Sequence, residues 1–418
     1  MSTDARALEP PPAGARLVVD VIQQAGHEAF LVGGCVRDRL LGRAVNDWDV
    51  ATDAKPEVVM GLFSKTIGTG LQHGTVTVME GGLPIEVTTY RVEIGYSDGR
   101  HPDEVRFTRV LEDDLSRRDF TVNAMAWDPA AGEIRDPFDG QGDLARRCLR
   151  AVGTAQERFD EDGLRSMRAV RFATVLDFAL DPATEAAIPE AIETFRKVAV
   201  ERIRAELVKL LRAPRAGWGV AALASTRLLA EFLPEVAQLP AADFAATCAA
   251  LAASPSDLVV RLAVLLHATA DDGGALKRLR FSNQEVREAT HLLSLRAVDP
   301  AQYLEPPAVR ALVARVGASA WPQWLEARRA WATEAPLEAL EALAALEQRL
   351  AVRSGPLVPT DLALNGREVA RALGIKPSRR IGHLLAALLE RVWAEPECNT
   401  AEGLRALLPE VDAALDAS

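Results

Sequence analysis

Two aspartates one residue apart follow a glycine pair in FLVGGCVRDRLLGRAVNDWDVAT, residues 30–52. The side-chain period of an extended strand sends Asp47 and Asp49 to the same face, where their carboxylates repel unless a cation sits between them. Oxygen-only ligation of this kind suits Mg²⁺, which takes one or two carboxylates and completes its shell with water and substrate phosphates. The Gly33-Gly34 pair lets backbone amides approach a phosphate closely, and Arg37, one helical turn on, presents a planar fork. Separately these are also a polar strand end, a strand-to-helix turn and a solvated helix face. Together they describe a site for a metal and a nucleotide. Asp38 reads as a salt-bridge partner of Arg37 or Arg39.

Two further stretches carry polar residues of the same kind. In LSRRDFTVNAMAWD, Arg118 has the chemistry to bind phosphate or ribose, and Asp119 and Asn123 to bond sugar hydroxyls. The alternative is a capping cluster with Ser116 or Asp119 as the helix cap. In ERFDEDGLRSMRAVRFATVLDF, Arg165, Arg168 and Arg171 recur every three residues along one drifting helix face, with Asp162 just ahead of them. A row of arginines backed by Leu164, Val170 and Phe172 is costly to bury unless anions or bases occupy it. A carboxylate beside a guanidinium also presents an acceptor and a donor to a nucleobase edge. The competing arrangement is a solvated face paired with Glu157, Asp160 and Glu161.

The elements that must position these residues are legible from periodicity. Within residues 15–30, apolar Leu17, Val18, Val21, Ile22 and Ala25 at helical spacing predict a helix ended by Gly26, and AFLVGG predicts a short strand. VRDRLLG predicts a helical turn or two stopping at Gly42, and DWDVAT another strand. HGTVTVMEGGLPIEVTTYR predicts a β-hairpin with Glu80-Gly81-Gly82-Leu83 at its tip and Val76, Val78, Ile85 and Val87 on one face. From Thr154 onward the pattern becomes amphipathic helices rich in Ala, Leu, Arg and Glu, broken by Pro and Gly near 212–217, 253–256, 299–307 and 355–359. The expected fold is therefore α+β, an N-terminal head with a mixed or antiparallel sheet and helices, followed by an all-helical remainder.

At 418 residues with 49% hydrophobic content, the chain is long enough for two to four globular units. Its net charge of −11 argues against nonspecific coating of nucleic acid. Cys35, Cys148, Cys248 and Cys398 are far apart and show neither zinc-ligand nor disulfide spacing. With no basic-then-apolar leader and no membrane-length apolar window, the expected location is the cytoplasm.

The quoted stretches, with GTGLQHGTVTV, IEVTTYRVEIGYSDGRHPDEVRF, IRDPFDGQGDL and ERIRAEL, resemble in order the class II CCA-adding tRNA nucleotidyltransferase and bacterial poly(A) polymerase family of the DNA polymerase β superfamily. The resemblance covers residues 30–211 and, less distinctively, DLALNGREVARALGIKPSRRIGHLL further on. It implies a nucleotidyltransferase head over residues 1–150, a base-reading neck over 151–212, a body over 213–353 and a tRNA-binding tail over 354–418. Asp47 and Asp49 would hold catalytic Mg²⁺, with Glu86 a third carboxylate. Gly34, Arg37, Arg118, Asp119 and Asn123 would contact the nucleotide, while Asp162 and Arg165, flanked by Arg168 and Arg171, would read the base of CTP or ATP. The substrate would be the 3′ end of tRNA, extended with pyrophosphate release.

SDGRHPDEVRF, Ser97 to Phe107, resembles the flexible loop kept by members that add the terminal A, which argues against CC-only addition. TIGTGLQHGTVTV lacks a basic signature associated with poly(A) polymerases, so full CCA addition leads and A-only addition stays open. VLLHATADD lacks the paired His-Asp of a phosphohydrolase domain, leaving His267 as a core or helix-face residue. Lys277, Arg278 and Arg280, and Lys376, Arg379 and Arg380, are candidates for RNA phosphate contacts or simply solubilising charge. Rival readings are an inactive RNA-binding relative, against which the intact aspartate pair counts, and a sugar-nucleotide transferase, against which RRDFTVNA and EDGLR count.

Overall fold

The computed structural model describes residues 9–95, 104–332 and 334–416. The chain divides into two compact units, Met1–Ala237 and Gln238–Ser418.

Helix α1 (Ala13–Gln24) buries Ala15, Val18, Val19 and Ile22. Leu17, expected on the inner face, is exposed, because the buried stripe runs one residue away from it. Gly26, at a φ of +87°, turns the chain into strand β1 (Ala29–Val32). Helix α2 (Gly34–Leu40), β2 (Trp48–Thr52), α3 (Pro56–Leu62), β3 (Thr66–Gly70), β4 (Thr75–Glu80) and β5 (Leu83–Thr89) follow. An antiparallel ribbon of β6 (Arg91–Ile94) and β7 (Glu104–Phe107) stands apart from the main sheet. Residues 97–103 of the expected loop lie outside the described residues.

Helix α4 (Leu111–Ser116), β8 (Ala126–Asp128), β9 (Glu133–Arg135) and α5 (Gly140–Arg146) complete the head. Among the described residues its sheet runs β3-β4-β5-β2-β1-β8-β9. Only the β2/β5 pair of this sheet is parallel, so the sheet is mixed, one of the two arrangements expected. The β4–β5 hairpin pairs Val76 with Val87 and Val78 with Ile85, all fully buried. Each such side chain contributes about 1.5–3 kcal/mol of burial, which fixes the register, since a one-residue slip would turn all of them to water.

Strand β10 (Cys148–Leu149) pairs in parallel with β11 (Ala179–Leu180), a short exception to the all-helical expectation beyond residue 150. Around it lie α6 (Ala155–Glu161), α7 (Leu164–Leu176), α8 (Pro182–Ala187), α9 (Ile192–Phe195), α10 (Val200–Leu211) and α11 (Ala216–Ser225). Helix α7 packs against both α10 and α11. Residues 213–237 therefore belong with the first compact unit, although the Pro/Gly break near 212 places them with the body in the sequence reading.

The second unit is helical. Leu364, Val369, Leu384, Leu388, Val392, Leu404 and Leu408 form one apolar cluster in it, joining helices Gly366–Leu373, Arg379–Ala394 and Ala401–Asp416. His267 stacks on Trp331 with ring centroids 4.4 Å apart, as a core histidine does. Among the described residues no helix is long and apolar enough to cross a membrane.

Candidate active site

Gly33 ends β1 at a φ of +76°, and its N–H donates to the Met125 carbonyl (3.2 Å). A Cβ at this position would lie 2.8 Å from Arg118 Nη1, so the glycine serves both the turn and the approach of that guanidinium. Gly34 opens α2, and Arg37, buried on its first turn, donates Nε and Nη2 to Asp38 (3.0 and 2.8 Å) and Nη1 to Asn123 Oδ1. Arg37 is thus an anchored cation whose fork is already engaged, and Asp38 is the salt-bridge partner the sequence indicated.

Asp47 and Asp49 line the same cleft. Asp47 is exposed and lies just before the first ladder residue of β2; Asp49 sits within the ladder, in register with Glu86 of β5. Burial is the largest influence on Asp49 and pushes its carboxyl up to about 6; Arg118 pulls the other way, and Glu86 and Asp47 add to the rise. A divalent cation would relieve this crowding, so the donor set fits a hard metal ion. Glu86 is exposed and does not line the cleft. Among the described residues no group of three His, Cys, Asp or Glu side chains is arranged to hold a metal, so the expected third carboxylate is not assembled here. Asp47 lies outside the β2 ladder, where strand pairing does not fix its side chain relative to Glu86.

The opposite wall comes from RRDFTVN and α7. Arg118 donates to Asp114 (3.2 Å), while its buried Nε has no hydrogen-bond partner. Asp119 accepts from the Phe120 N–H and from Asn123 Nδ2 on one oxygen, and from Nε and Nη2 of Arg168 on the other (2.9 and 2.6 Å). Burial alone would raise the Asp119 carboxyl, but Arg168 and the Asn123 amide outweigh it and hold it at about 2. Asp119 and Asn123 thus act first as an internal bracket, tying the turn to α7.

The three α7 arginines share the cleft but have different partners. Arg165 is paired with Glu161 and donates to the Arg158 and Arg117 carbonyls (3.2 and 3.0 Å). Arg168 takes Asp119. Arg171, buried, donates to Glu206 Oε2 (2.7 Å) and lies over the Phe172 ring, 3.4 Å from its centroid. Asp162 makes no side-chain bond to Arg165; its carboxylate is gripped by Arg202 of α10 (3.1 and 2.6 Å). The link from α6 to α7 runs through Gly163, where a Cβ would fall 2.5 Å from the Phe195 nitrogen.

The cleft, about 690 Å³, thereby gathers the expected aspartates, Gly34 and every expected nucleotide-contacting side chain. Arg202 and Lys209 also line it, and the buried Glu206 stands behind, within 3.8 Å of Arg168 and 3.6 Å of Lys209. These three had no assigned role in the sequence, although charges at 202, 206 and 209 recur at helical spacing and mark one polar stripe of α10. The basic candidates of the second unit lie elsewhere in the chain. Lys277, Arg278, Arg280, Lys376 and Arg379 are exposed, and Arg380 is paired with Asp412 (2.5 and 2.9 Å) and Asp416 (2.6 Å).

Residues 29–150 match the family model described as poly A polymerase head domain, and residues 177–239 match that of a probable RNA and SrmB-binding site of polymerase A. The CCA-adding enzyme of Lactobacillus delbrueckii subsp. bulgaricus is 55% identical over 193 residues, 46% of this chain and 48% of that protein. The matched segment therefore spans about half the length of that curated relative. The crystal structure of the Bacillus stearothermophilus CCA-adding enzyme in complex with CTP superposes with a TM-score of 0.81 and 34% identity, covering 98% of this chain and all (100%) of that one. A Thermotoga maritima CCA-adding enzyme complexed with tRNA shares the fold, with a TM-score of 0.68 at 21% identity over 96% of this chain and 94% of that one.

Proposed function

The chain belongs to the CCA-adding enzyme family, and from that premise we propose that it transfers CMP and AMP residues from CTP and ATP to the 3′ end of tRNA without a nucleic-acid template, releasing pyrophosphate. The observation that carries the reading is the meeting, in one cleft, of the Asp47 and Asp49 carboxylates with the Asp162 and Arg165 pair. The first pair has the chemistry of a cation and triphosphate site. The second offers an acceptor and a donor to a base edge.

In this reading Asp47 and Asp49 hold Mg²⁺, with Glu86 contributing charge from the neighbouring strand. When bound, the ion supplies Lewis-acid activation of the attacking hydroxyl and neutralises the departing pyrophosphate. Arg118, with an unpartnered Nε, offers its charge to the triphosphate, and Gly33 leaves its guanidinium room. The RNA 3′-oxygen forms a bond to the α-phosphorus, the bond from that phosphorus to the bridging oxygen of the β-phosphate breaks, and the hydroxyl proton passes to solvent. Asp119, Asn123 and Arg168 keep the head turn and α7 in register, so that base and phosphate are held at a fixed separation. Cytosine and adenine each present an amino donor beside a ring-nitrogen acceptor, which Asp162 and Arg165 complement.

Head, neck, body and tail are assigned to residues 1–150, 151–212, 213–353 and 354–418, the first stretch of the body, residues 213–237, clustering with the head and neck rather than with the rest of the body. Lys277, Arg278, Arg280, Lys376 and Arg379 are assigned to the tRNA backbone, which is recognised by shape and charge. A cytoplasmic location belongs to the same proposal, supported by four unpaired cysteines.

The test is incubation with Mg²⁺ and tRNA transcripts ending before CCA, after C and after CC, with CTP, ATP or both, resolved to single nucleotides. Extension of all three that stops at CCA supports the proposal. Extension of the CC-ending transcript alone by ATP indicates an A-adding enzyme, long A tails a poly(A) polymerase, and no extension a binding protein.

A further inference from the structure

Asp162 does not meet the cleft with a free carboxylate. Its Oδ1 accepts the Leu164 N–H (3.0 Å) and Arg202 Nη1 (3.1 Å), and its Oδ2 accepts Arg202 Nη2 (2.6 Å). An ionised carboxylate offers about four lone-pair positions, two on each oxygen. Oδ1 is therefore saturated and Oδ2 keeps one position. Arg202 itself lines the cleft from α10, 40 residues along the chain from the aspartate it holds. Its forked geometry matters as much as its charge, because a two-pronged grip fixes the carboxylate plane as a single ammonium contact does not.

We propose that Arg202 is a specificity-determining positioning residue, which by occupying both oxygens of Asp162 leaves one acceptor for the cleft and so rejects guanine. The inference rests on Asp162 reading the base. One acceptor suffices for the single amino N–H that cytosine or adenine directs to it. Guanine carries two adjacent donors, N1–H and N2–H, whose favourable partner is both oxygens of one carboxylate. With Arg202 in place, one of these donors is left facing a saturated oxygen. An unpaired buried donor costs more than the hydrogen bond it replaces, so the discrimination is built into the pocket before any nucleotide arrives.

The full chain is compared with Arg202→Gln and Arg202→Lys in two assays: kcat/KM for each of the four nucleoside triphosphates on a tRNA transcript ending in CC, and equilibrium titration of each triphosphate with Mg²⁺ in the absence of RNA. Arg202→Gln should raise the GTP-to-ATP ratio roughly tenfold or more in both assays, whatever happens to the overall rate. Arg202→Lys, which restores charge but not the fork, should lie between Arg202→Gln and the parent. A uniform loss across all four nucleotides, with the GTP-to-ATP ratio unchanged, would mean that Arg202 only supports the fold and would overturn the proposal. If the parent chain extends no RNA, the polymerase reading fails alone, and the titration ratio still decides the role of Arg202. If one variant does not fold, the ratio in the other decides it.

Discussion

Arg168 closes on Asp119 through two nitrogens and one oxygen, Nε at 2.9 Å and Nη2 at 2.6 Å, across 49 residues of chain. The contact joins the RRDFTVN turn of the head to the arginine face of α7. It is buried on the aspartate side, and Asn123 bonds the other oxygen (2.9 Å). Asp119→Ala would leave Arg168 facing a cavity, with only the longer contact to Glu206 (3.8 Å) as counter-charge. A loss of about 3–5 kcal/mol is expected, the range for breaking a buried ion pair from one side. Urea denaturation of the variant checks it, and an unchanged midpoint would show that the bracket is dispensable.

Asp47 is exposed and contributes little to packing. Asp47→Ala should therefore keep the melting temperature of the parent chain while reducing Mg²⁺-dependent nucleotide transfer by at least about 100-fold. Undiminished transfer would remove the aspartate pair from the metal site.

Arg165 is held between Glu161 and the Arg117 carbonyl, which presets the direction of its guanidinium. Arg165→Ala should blur the choice among CTP, ATP and UTP more than it slows the addition of any one of them. Competition assays with mixed triphosphates measure this directly, and preserved selectivity would exclude Arg165 from base reading.

Gly33 combines a φ of +76° with a forbidden Cβ position against Arg118. Gly33→Ala should cost roughly 1–2 kcal/mol from the backbone alone and displace Arg118 as well. The prediction is a lowered melting temperature together with a raised KM for triphosphate; a KM equal to the parent's would show that Arg118 does not depend on the glycine.

His267 supplies a pH dependence of known sign. Burial, with Arg328 and Arg296 nearby, holds its imidazole at about 4, below the ordinary 6.5. Between those values the unfolded chain binds a proton that the folded chain does not, so stability falls as pH drops. The histidine should cost about 2 kcal/mol between pH 7 and pH 5. His267→Phe keeps an aromatic ring beside Trp331 and should flatten that part of the profile, as denaturation at the two pH values will show.

The local features were legible because short-range physics decides them. Period-two burial marks Val76, Val78, Ile85 and Val87, the Gly81-Gly82 tip closes their hairpin with both residues at positive φ, and the Gly33 turn followed by the Asp47 and Asp49 pair is visible in a single line of sequence. Helical spacing likewise placed Arg165, Arg168 and Arg171 on one element. Spacing did not say which anion each arginine would meet. Glu161 is four residues from Arg165, whereas Asp119 and Glu206 lie 49 and 35 residues from Arg168 and Arg171. Asp162, which the sequence set beside Arg165, is held by Arg202 instead, and Arg380, a candidate for phosphate contact, is paired with Asp412 and Asp416. Sequence by itself determined which residues can carry charge and which backbone positions must bend, because those properties belong to one residue or one turn. Only the tertiary structure decided the pairings, because an ion pair depends on where separate helices come to rest, and that is set by the packing of their apolar faces rather than by the charged residues themselves.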